Sequence, residues 1–297
     1  MIKRLRHFWK NRTNRRRFLL GSTLGSAGAM GASYDYMRLW ESGWLEMNRH
    51  SVPISSTDKS VRPFRILHLS DLHASRAVSL GYLRRAIGVG LEQQPDLVCI
   101  TGDFITWKYR RWDDYADVLR ICSDAAPTYA CLGNHDGGAW MQGRTLTNDN
   151  ANLVRQLLDK ADIKLLHNQS ATEQLGERQW NIVGTGDLWN EECDADRSFA
   201  NVDAEHPTLV LSHNPDAKEL LLRHAWQLML SGHTHGGQIY LPGLGAPLAP
   251  VKDKKYVRGL HALDAAAGRW LHITKGVGNL HGVRFNCRPE VSLLDVS

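Results

Sequence analysis

Five short apolar runs in this chain each lead into oxygen- and imidazole-bearing side chains, and this pattern constrains the fold more than any other feature. The runs lead, in chain order, into Asp71-Leu72-His73, Gly102-Asp103, Gly133-Asn134-His135-Asp136, His213-Asn214 and Gly232-His233-Thr234-His235. Short apolar runs bounded by Gly, Asp and Asn are typical of buried strands. Because α/β proteins bind ligands at the carboxyl ends of their strands, the five polar segments are predicted to meet at one sheet edge.

The side chains in these segments are those that divalent metal ions prefer. Carboxylates and imidazoles suit Mn, Fe, Zn or Ni, and the absence of Cys from the set argues against a soft-metal site. Gly102 lets the chain turn before Asp103, and Gly133 permits close approach of the backbone. The sequence therefore predicts a site for two divalent metal ions of undetermined identity.

In their order and spacing, the five motifs resemble the calcineurin-like metallophosphoesterases, over roughly residues 64 to 290. The resemblance implies a specific division of ligands between two metals. The first metal would be held by Asp71, His73 and His235, the second by Asn134, His213 and His233, with Asp103 bridging both.

The same resemblance implies that His135 is catalytic rather than a ligand. It would lie beside the scissile phosphate as an electrostatic stabiliser or general acid, with Asp136 or Asp71 as its orienting partner. A hydroxide activated by two metals about 3.5–4 Å apart would attack phosphorus in line with the leaving oxygen. No Ser or Cys nucleophile is needed.

Strands alternate with helical patterns as far as His235, after which strands and turns dominate. Leu83, Ile87 and Leu91 form one apolar stripe within a helix predicted over Leu80–Gln94. Two mixed β-sheets packed face to face with helices outside account for this order. The resemblance implies the same α/β fold, a four-layer αββα sandwich, for a domain spanning 63–297.

The N-terminal segment carries a targeting pattern. Residues 1–17 hold eight Lys or Arg and no acid, and Asn14-Arg15-Arg16-Arg17-Phe18-Leu19-Leu20 resembles a twin-arginine motif ahead of a modestly apolar stretch. We expect residues 1–32 to be read by the twin-arginine translocase and residues 33–62 to be a connector. The protein would then be periplasmic or membrane-associated. Without those eight cations, 28 Lys+Arg face 31 Asp+Glu (36 − 8 = 28), a net charge of −3, so nucleic acid is not an expected partner.

The sequence predicts the type of bond that is cleaved more closely than it predicts the substrate. Aromatic, basic and apolar loops follow Asp103, Asn134-His135 and His235, and they fit either ordinary surface loops or a surface that meets anionic lipid headgroups. Gly184–Trp189 and Arg284–Glu290 resemble the YaeI-type bacterial phosphodiesterases, which implies a small or lipid-linked phosphodiester substrate. Arg284 fits a phosphate contact or, alternatively, a surface salt bridge.

Two alternatives to a phosphodiesterase stay open. The first is a pyrophosphatase of nucleotide-linked lipid precursors, similar to UDP-diacylglucosamine hydrolases, or a phosphomonoesterase on the same site. The second is a binding module that kept the fold without catalysis, against which the full ligand set and His135 argue.

Overall fold

Two six-stranded sheets form the centre of the molecule. The computed structural model describes residues 31–54, 63–137, 150–264, 268–280 and 282–297. The first sheet contains β1 (Glu46–Val52), β2 (Phe64–Leu69), β3 (Leu97–Thr101), β4 (Thr128–Cys131), β5 (Lys164–Leu165) and β12 (Glu290–Val296). The second contains β6 (Gln169–Leu175), β7 (Arg178–Gly184), β8 (Thr208–Leu211), β9 (Leu228–Ser231), β10 (Gly259–Asp264) and β11 (Arg269–Ile273).

Both sheets are mixed, as predicted. The strand order is β1-β12-β2-β3-β4-β5 in the first and β10-β11-β9-β8-β7-β6 in the second. Strands β2 to β5 run parallel, as do β7, β8, β9 and β11, while β12 is antiparallel to β2. The parallel strands end at the same edge of each sheet, which is where the ligand motifs follow.

Helices cover the outer faces of the two sheets. They are α1 (Leu80–Leu91), α2 (Trp112–Ala125), α3 (Asn150–Lys160), α4 (Ala195–Phe199) and α5 (Lys218–Leu221). Residues 31–35 are helical and continue into the π-helical turn Tyr36–Trp40, and single 3-10 turns occupy Glu41–Gly43, Pro215–Ala217, His235–Gly237 and Lys254–Tyr256. No helix among the described residues is both long and apolar enough to cross a membrane.

Three apolar layers hold these elements together. The predicted α1 stripe is confirmed, because Leu83 and Ile87 are fully buried against the first sheet. A second layer, which includes Tyr129 and Leu230, fills the space between the sheets, and a third packs α4 and Trp226 against the second sheet. The four-layer αββα sandwich is therefore confirmed.

The structure corrects the predicted start of the domain. Residues 46–52 form the edge strand β1, paired in parallel with β12, so the domain begins well before residue 63 and residues 33–62 are not simply a connector. After His235, where strands and turns were expected, the chain begins with the turn His235–Gly237, in which Gly236 has a φ of 60°. The targeting motif at Arg15-Arg16 lies outside the described residues.

Candidate metal centre

All seven predicted ligands and His135 come together at the carboxyl ends of β2, β3, β4, β8 and β9. Each is buried, with 5% or less of its surface exposed. These residues are Asp71, His73, Asp103, Asn134, His135, His213, His233 and His235. Buried polar groups of this density are costly unless they are paired or coordinate metals.

The first ligand group surrounds one point. His73 Nε2 lies 3.0 Å from His235 Nε2, and Asp71 Oδ1 lies 3.9 and 3.3 Å from those two nitrogens. Ligand atoms about 2.0–2.2 Å from a shared ion stand about 3.0–3.6 Å apart in octahedral or tetrahedral geometry. Two of the three separations fall within this range and the third exceeds it by 0.3 Å, so a small movement of Asp71 or His73 would fit the group to a divalent ion.

The second group has the same dimensions. His233 Nδ1 lies 2.9 Å from Asn134 Oδ1 and 3.3 Å from His213 Nε2. His213 Nδ1 is 2.6 Å from the carbonyl oxygen of Thr101 and donates to it, which leaves Nε2 directed at the site. His233 thus faces its neighbours through Nδ1, whereas His73, His213 and His235 use Nε2.

Asp103 joins the two groups through a single atom. Its Oδ2 is 3.4 Å from His73 Nε2 and 3.3 Å from His213 Nε2. Its Oδ1 accepts a hydrogen bond from the backbone N–H of His135 at 2.9 Å. This is the geometry expected of the predicted bridging carboxylate.

The backbone at the site is strained. Five of the seven ligands have a positive φ: Asp71 at 52°, His73 at 47°, Asp103 at 56°, His233 at 67° and His235 at 51°. Residues other than Gly seldom adopt this conformation, and such outliers cluster at functional sites. The turn after each strand therefore aims side chains that a regular strand would direct elsewhere.

The protonation states of the four histidines bear on metal binding. Burial lowers the pKa of His73 to about 3 and the pKa values of His233 and His235 well below their usual range, so these imidazoles are neutral and able to act as ligands. Burial alone would lower the pKa of His213, but Asp103 outweighs it and raises that pKa well above its usual value. Because a metal ligand must be unprotonated at the coordinating nitrogen, metal binding at His213 is expected to become weaker as the pH falls.

His135 is oriented differently from the prediction. Its Nδ1 donates to the carbonyl oxygen of Thr106 at 2.8 Å, so neither Asp136 nor Asp71 is the partner of that nitrogen. Asp136 instead accepts backbone N–H groups of Asp103, Phe104 and Gly133 at 2.7–2.8 Å. It ties together the two loops that carry Asp103 and His135.

Arg284 also departs from its prediction. It is fully buried, and its guanidinium donates to the carbonyl oxygens of Lys275, Gly276, Gly278 and Cys287. Its Nη2 lies 3.4 Å from His235 Nδ1. This position behind His235 favours support of a ligand rather than contact with a substrate phosphate or a surface salt bridge.

Sequence reasoning missed three side chains beside the cluster. Trp189 packs edge-on against His233, with ring centroids 4.2 Å apart, and Trp107 packs against His135 at 5.4 Å. Asp187 is buried, and burial raises its pKa to about 6. Both tryptophans lie in loops that the sequence singles out, but only the folded chain pairs each ring with a particular histidine.

Comparison with known proteins agrees with this geometry. Residues 64–237, more than half of the chain, match the calcineurin-like phosphoesterase family. The chain is 41% identical to phosphodiesterase YaeI of Escherichia coli K12, over 95% of this chain and 99% of that protein. It is 28% identical to the UDP-2,3-diacylglucosamine pyrophosphatase LpxG of Chlamydia muridarum, over 77% of this chain and 82% of that protein. It is 26% identical to the metallophosphoesterase YkuE of Bacillus subtilis, over 94% and 96% of the two chains. The chain therefore belongs to the calcineurin-like phosphoesterases, a family of hydrolases that use two divalent metals.

Proposed function

We propose that this protein is a phosphodiesterase that uses two divalent metal ions. The observation that carries the proposal is the position of Asp103 Oδ2, which lies within 3.4 Å of one ligand nitrogen from each group. A carboxylate oxygen shared by two ligand groups is well placed to bridge the two ions of a dinuclear centre. The similarity to a phosphodiesterase over nearly the whole chain supports the same activity.

The metal ligands, His135 and the two tryptophans would have different roles in hydrolysis. Divalent cations at such a centre lower the pKa of water and neutralise charge on phosphoryl oxygens. His135 lies next to the ligands and is held through Nδ1 by Thr106, so that its ring is positioned to meet charge on the leaving oxygen. The partly exposed rings of Trp107 and Trp189 border the centre and offer apolar surface to a leaving group.

Two nitrophenyl substrates test the proposal. Protein stripped with a chelator should be inactive, and added Mn should restore hydrolysis of bis(4-nitrophenyl) phosphate faster than that of 4-nitrophenyl phosphate. A preference for the monoester would indicate a phosphomonoesterase. No hydrolysis of either substrate by metal-loaded protein would instead favour a binding module.

A lipid-linked pyrophosphate is the second candidate substrate, because apolar side chains are exposed on neighbouring segments. Leu39, Trp40, Leu244 and Leu248, which we call the apolar rim, are 67–76% exposed. Backbone hydrogen bonds from Arg284 to Met37 and from Tyr240 to Phe285 connect the two segments that carry the rim. Exposed apolar residues of this kind are suited to a membrane interface.

The membrane part of this proposal is tested with vesicles of anionic phospholipid. Replacing Leu39 and Trp40 by Ser should reduce co-flotation with the vesicles and slow hydrolysis of UDP-diacylglucosamine, but not of the soluble nitrophenyl diester. Leu220→Ser on α5, at a 45% exposed position outside the rim, is the matched control. Equal flotation of all three proteins would contradict a membrane-facing rim.

Export by the twin-arginine translocase completes the proposal. Eight cations precede a Gly- and Ala-rich apolar stretch, which a nucleic-acid-binding arm would not need. Replacing Arg15 and Arg16 by Lys keeps the charge but removes the planar guanidinium groups. The double variant should accumulate in the cytoplasm, and equal amounts of variant and parent outside the inner membrane would refute this route.

A further inference from the structure

A second group of metal-ligand side chains lies away from the dinuclear centre, at the edge of the sandwich. His50 on β1 and Glu290 on β12 belong to the first sheet, and His272 on β11 belongs to the second. One ligand atom from each of the three lies within 4.8 Å of the others. His272 and Glu290 are buried, whereas His50 is partly exposed.

His272 has a ring nitrogen without a partner. Its Nδ1 lies 2.9 Å from His68 Nδ1, and His68 Nε2 lies 2.9 Å from Thr101 Oγ1, so His68 has partners on both nitrogens. Among the described residues, however, His272 Nε2 has no hydrogen-bond partner although the side chain is fully buried. Burial lowers the pKa of His272 to about 3, so the ring is neutral. A metal-ligating histidine commonly has this arrangement, with one nitrogen hydrogen-bonded and the other directed at the ion.

The Glu290 carboxylate has one lone-pair position that accepts no hydrogen bond from the described residues. Its Oε2 accepts from Asn48 Nδ2 at 2.9 Å and from Lys275 Nζ at 3.1 Å, and its Oε1 accepts from Ser292 Oγ. A carboxylate has about four lone-pair positions, which leaves one on Oε1.

The charged side chains around Glu290 balance in number. Glu46 pairs with both Lys275 and Arg288, so two carboxylates and two cationic side chains balance here. A metal ion would therefore enter a neutral cluster.

We propose that His50, His272 and Glu290 form a third metal site, best matched to zinc, that links the two sheets. Two imidazoles and one carboxylate are a donor set that zinc accepts, with water in the fourth position. The three ligand atoms lie within 4.8 Å of one another, against an edge of roughly 3.4 Å in a tetrahedral zinc site, so the side chains would close by up to about 1.4 Å. His50 can do this because it is on an edge strand and partly exposed, which also gives the ion a path from solvent. The bound ion would fasten β1 and β12 to β11.

Zinc stoichiometry tests the proposal on the full chain. Protein stripped with a chelator, loaded with zinc and desalted is analysed for zinc per chain by mass spectrometry. His50→Gln should bind one equivalent less than the parent, whatever the dinuclear centre holds, so failure of the dinuclear assignment does not affect the comparison. His206→Gln, at a partly exposed histidine paired with Asp203, is the matched control and should keep the parent stoichiometry.

Thermal unfolding provides a second measurement. Added zinc should raise the Tm of the parent more than that of His50→Gln, because one sheet-to-sheet link is missing. Glu290→Gln should lose the same equivalent, which keeps the test decisive if one variant folds poorly. Zinc content in folded His50→Gln and Glu290→Gln equal to that of the parent would overturn the third site.

Discussion

Replacing Gly133 by Ala tests whether activity and metal binding depend on the observed position of the Asp103 carboxylate. A Cβ at Gly133 would lie 2.3 Å from Asp103 Oδ1, 2.6 Å from Asp103 N and 2.9 Å from His213 Cε1. Gly133 is not in the left-handed region, so Ala strains no backbone angle there. The substitution therefore acts only through the space that the methyl group occupies.

The size of the effect follows from these contacts. Ordinary van der Waals contact begins at 3.4 Å, so the Asp103 carboxylate must retreat by about 1 Å. Overpacking of this kind costs about 1–3 kcal/mol of stability. A shift of about 1 Å in a catalytic group costs about 10²-fold in rate, so kcat/KM should fall by about that factor. Metal affinity should fall as well, because both ligand groups share this carboxylate.

The assay compares two glycine variants with the parent. Hydrolysis of bis(4-nitrophenyl) phosphate, bound metal and urea unfolding are measured for Gly133→Ala and for Gly88→Ala. Gly88 lies within α1, and a Cβ added there would have no neighbouring atom within 4 Å. Ala at that position should therefore keep full activity and stabilise the helix by about 0.5–1 kcal/mol. Parent-like kcat/KM and metal content in Gly133→Ala would refute the bridging geometry.

Three further predictions concern the same centre. His135→Ala should lose about 10²–10⁴-fold in kcat yet keep its metals by elemental analysis, and an emptied metal site would contradict its separation from the ligands. Asp103→Ala should lose both metal and rate, more severely than Asn134→Ala, because Asp103 contacts both ligand groups; the reverse order would contradict bridging. Arg284→Gln should lower the free energy of unfolding in urea with EDTA by about 2–4 kcal/mol, since several buried carbonyl oxygens lose their donor. A loss of kcat/KM with unchanged stability would favour the phosphate contact instead.

The sequence predicted the ligand-bearing strands well because their signals are local. β3 and β9 end at Thr101 and Ser231, directly before Gly102-Asp103 and Gly232-His233, as the apolar runs indicated. A short apolar stretch followed by Gly and a polar residue needs no long-range information to be recognised. The ligands then converge because parallel strands end at one edge.

Other features depend on contacts that are distant in the chain. β1 has little apolar character, and it becomes a strand because it pairs with β12, more than 200 residues later. A charged Arg284 predicts a surface position, yet carbonyl oxygens from the 275–278 segment hold it in the interior. The positive φ values of the ligands also depend on the folded chain, because even Asp and His, which adopt them more often than most non-Gly residues, rarely do so.

The position of β12 between β1 and β2 has a consequence for synthesis of the protein. Both early strands pair with a strand that the ribosome makes much later, so the first sheet cannot close until residue 290 and beyond have emerged. Until then β2, with four fully buried residues in the finished fold, has an unpaired edge. A chain that ends before β12 is therefore expected to carry Asp71 and His73 on a strand that lacks one of its two neighbours. Because β12 lies between β1 and β2, molecules that lack β12 are expected not to assemble the centre.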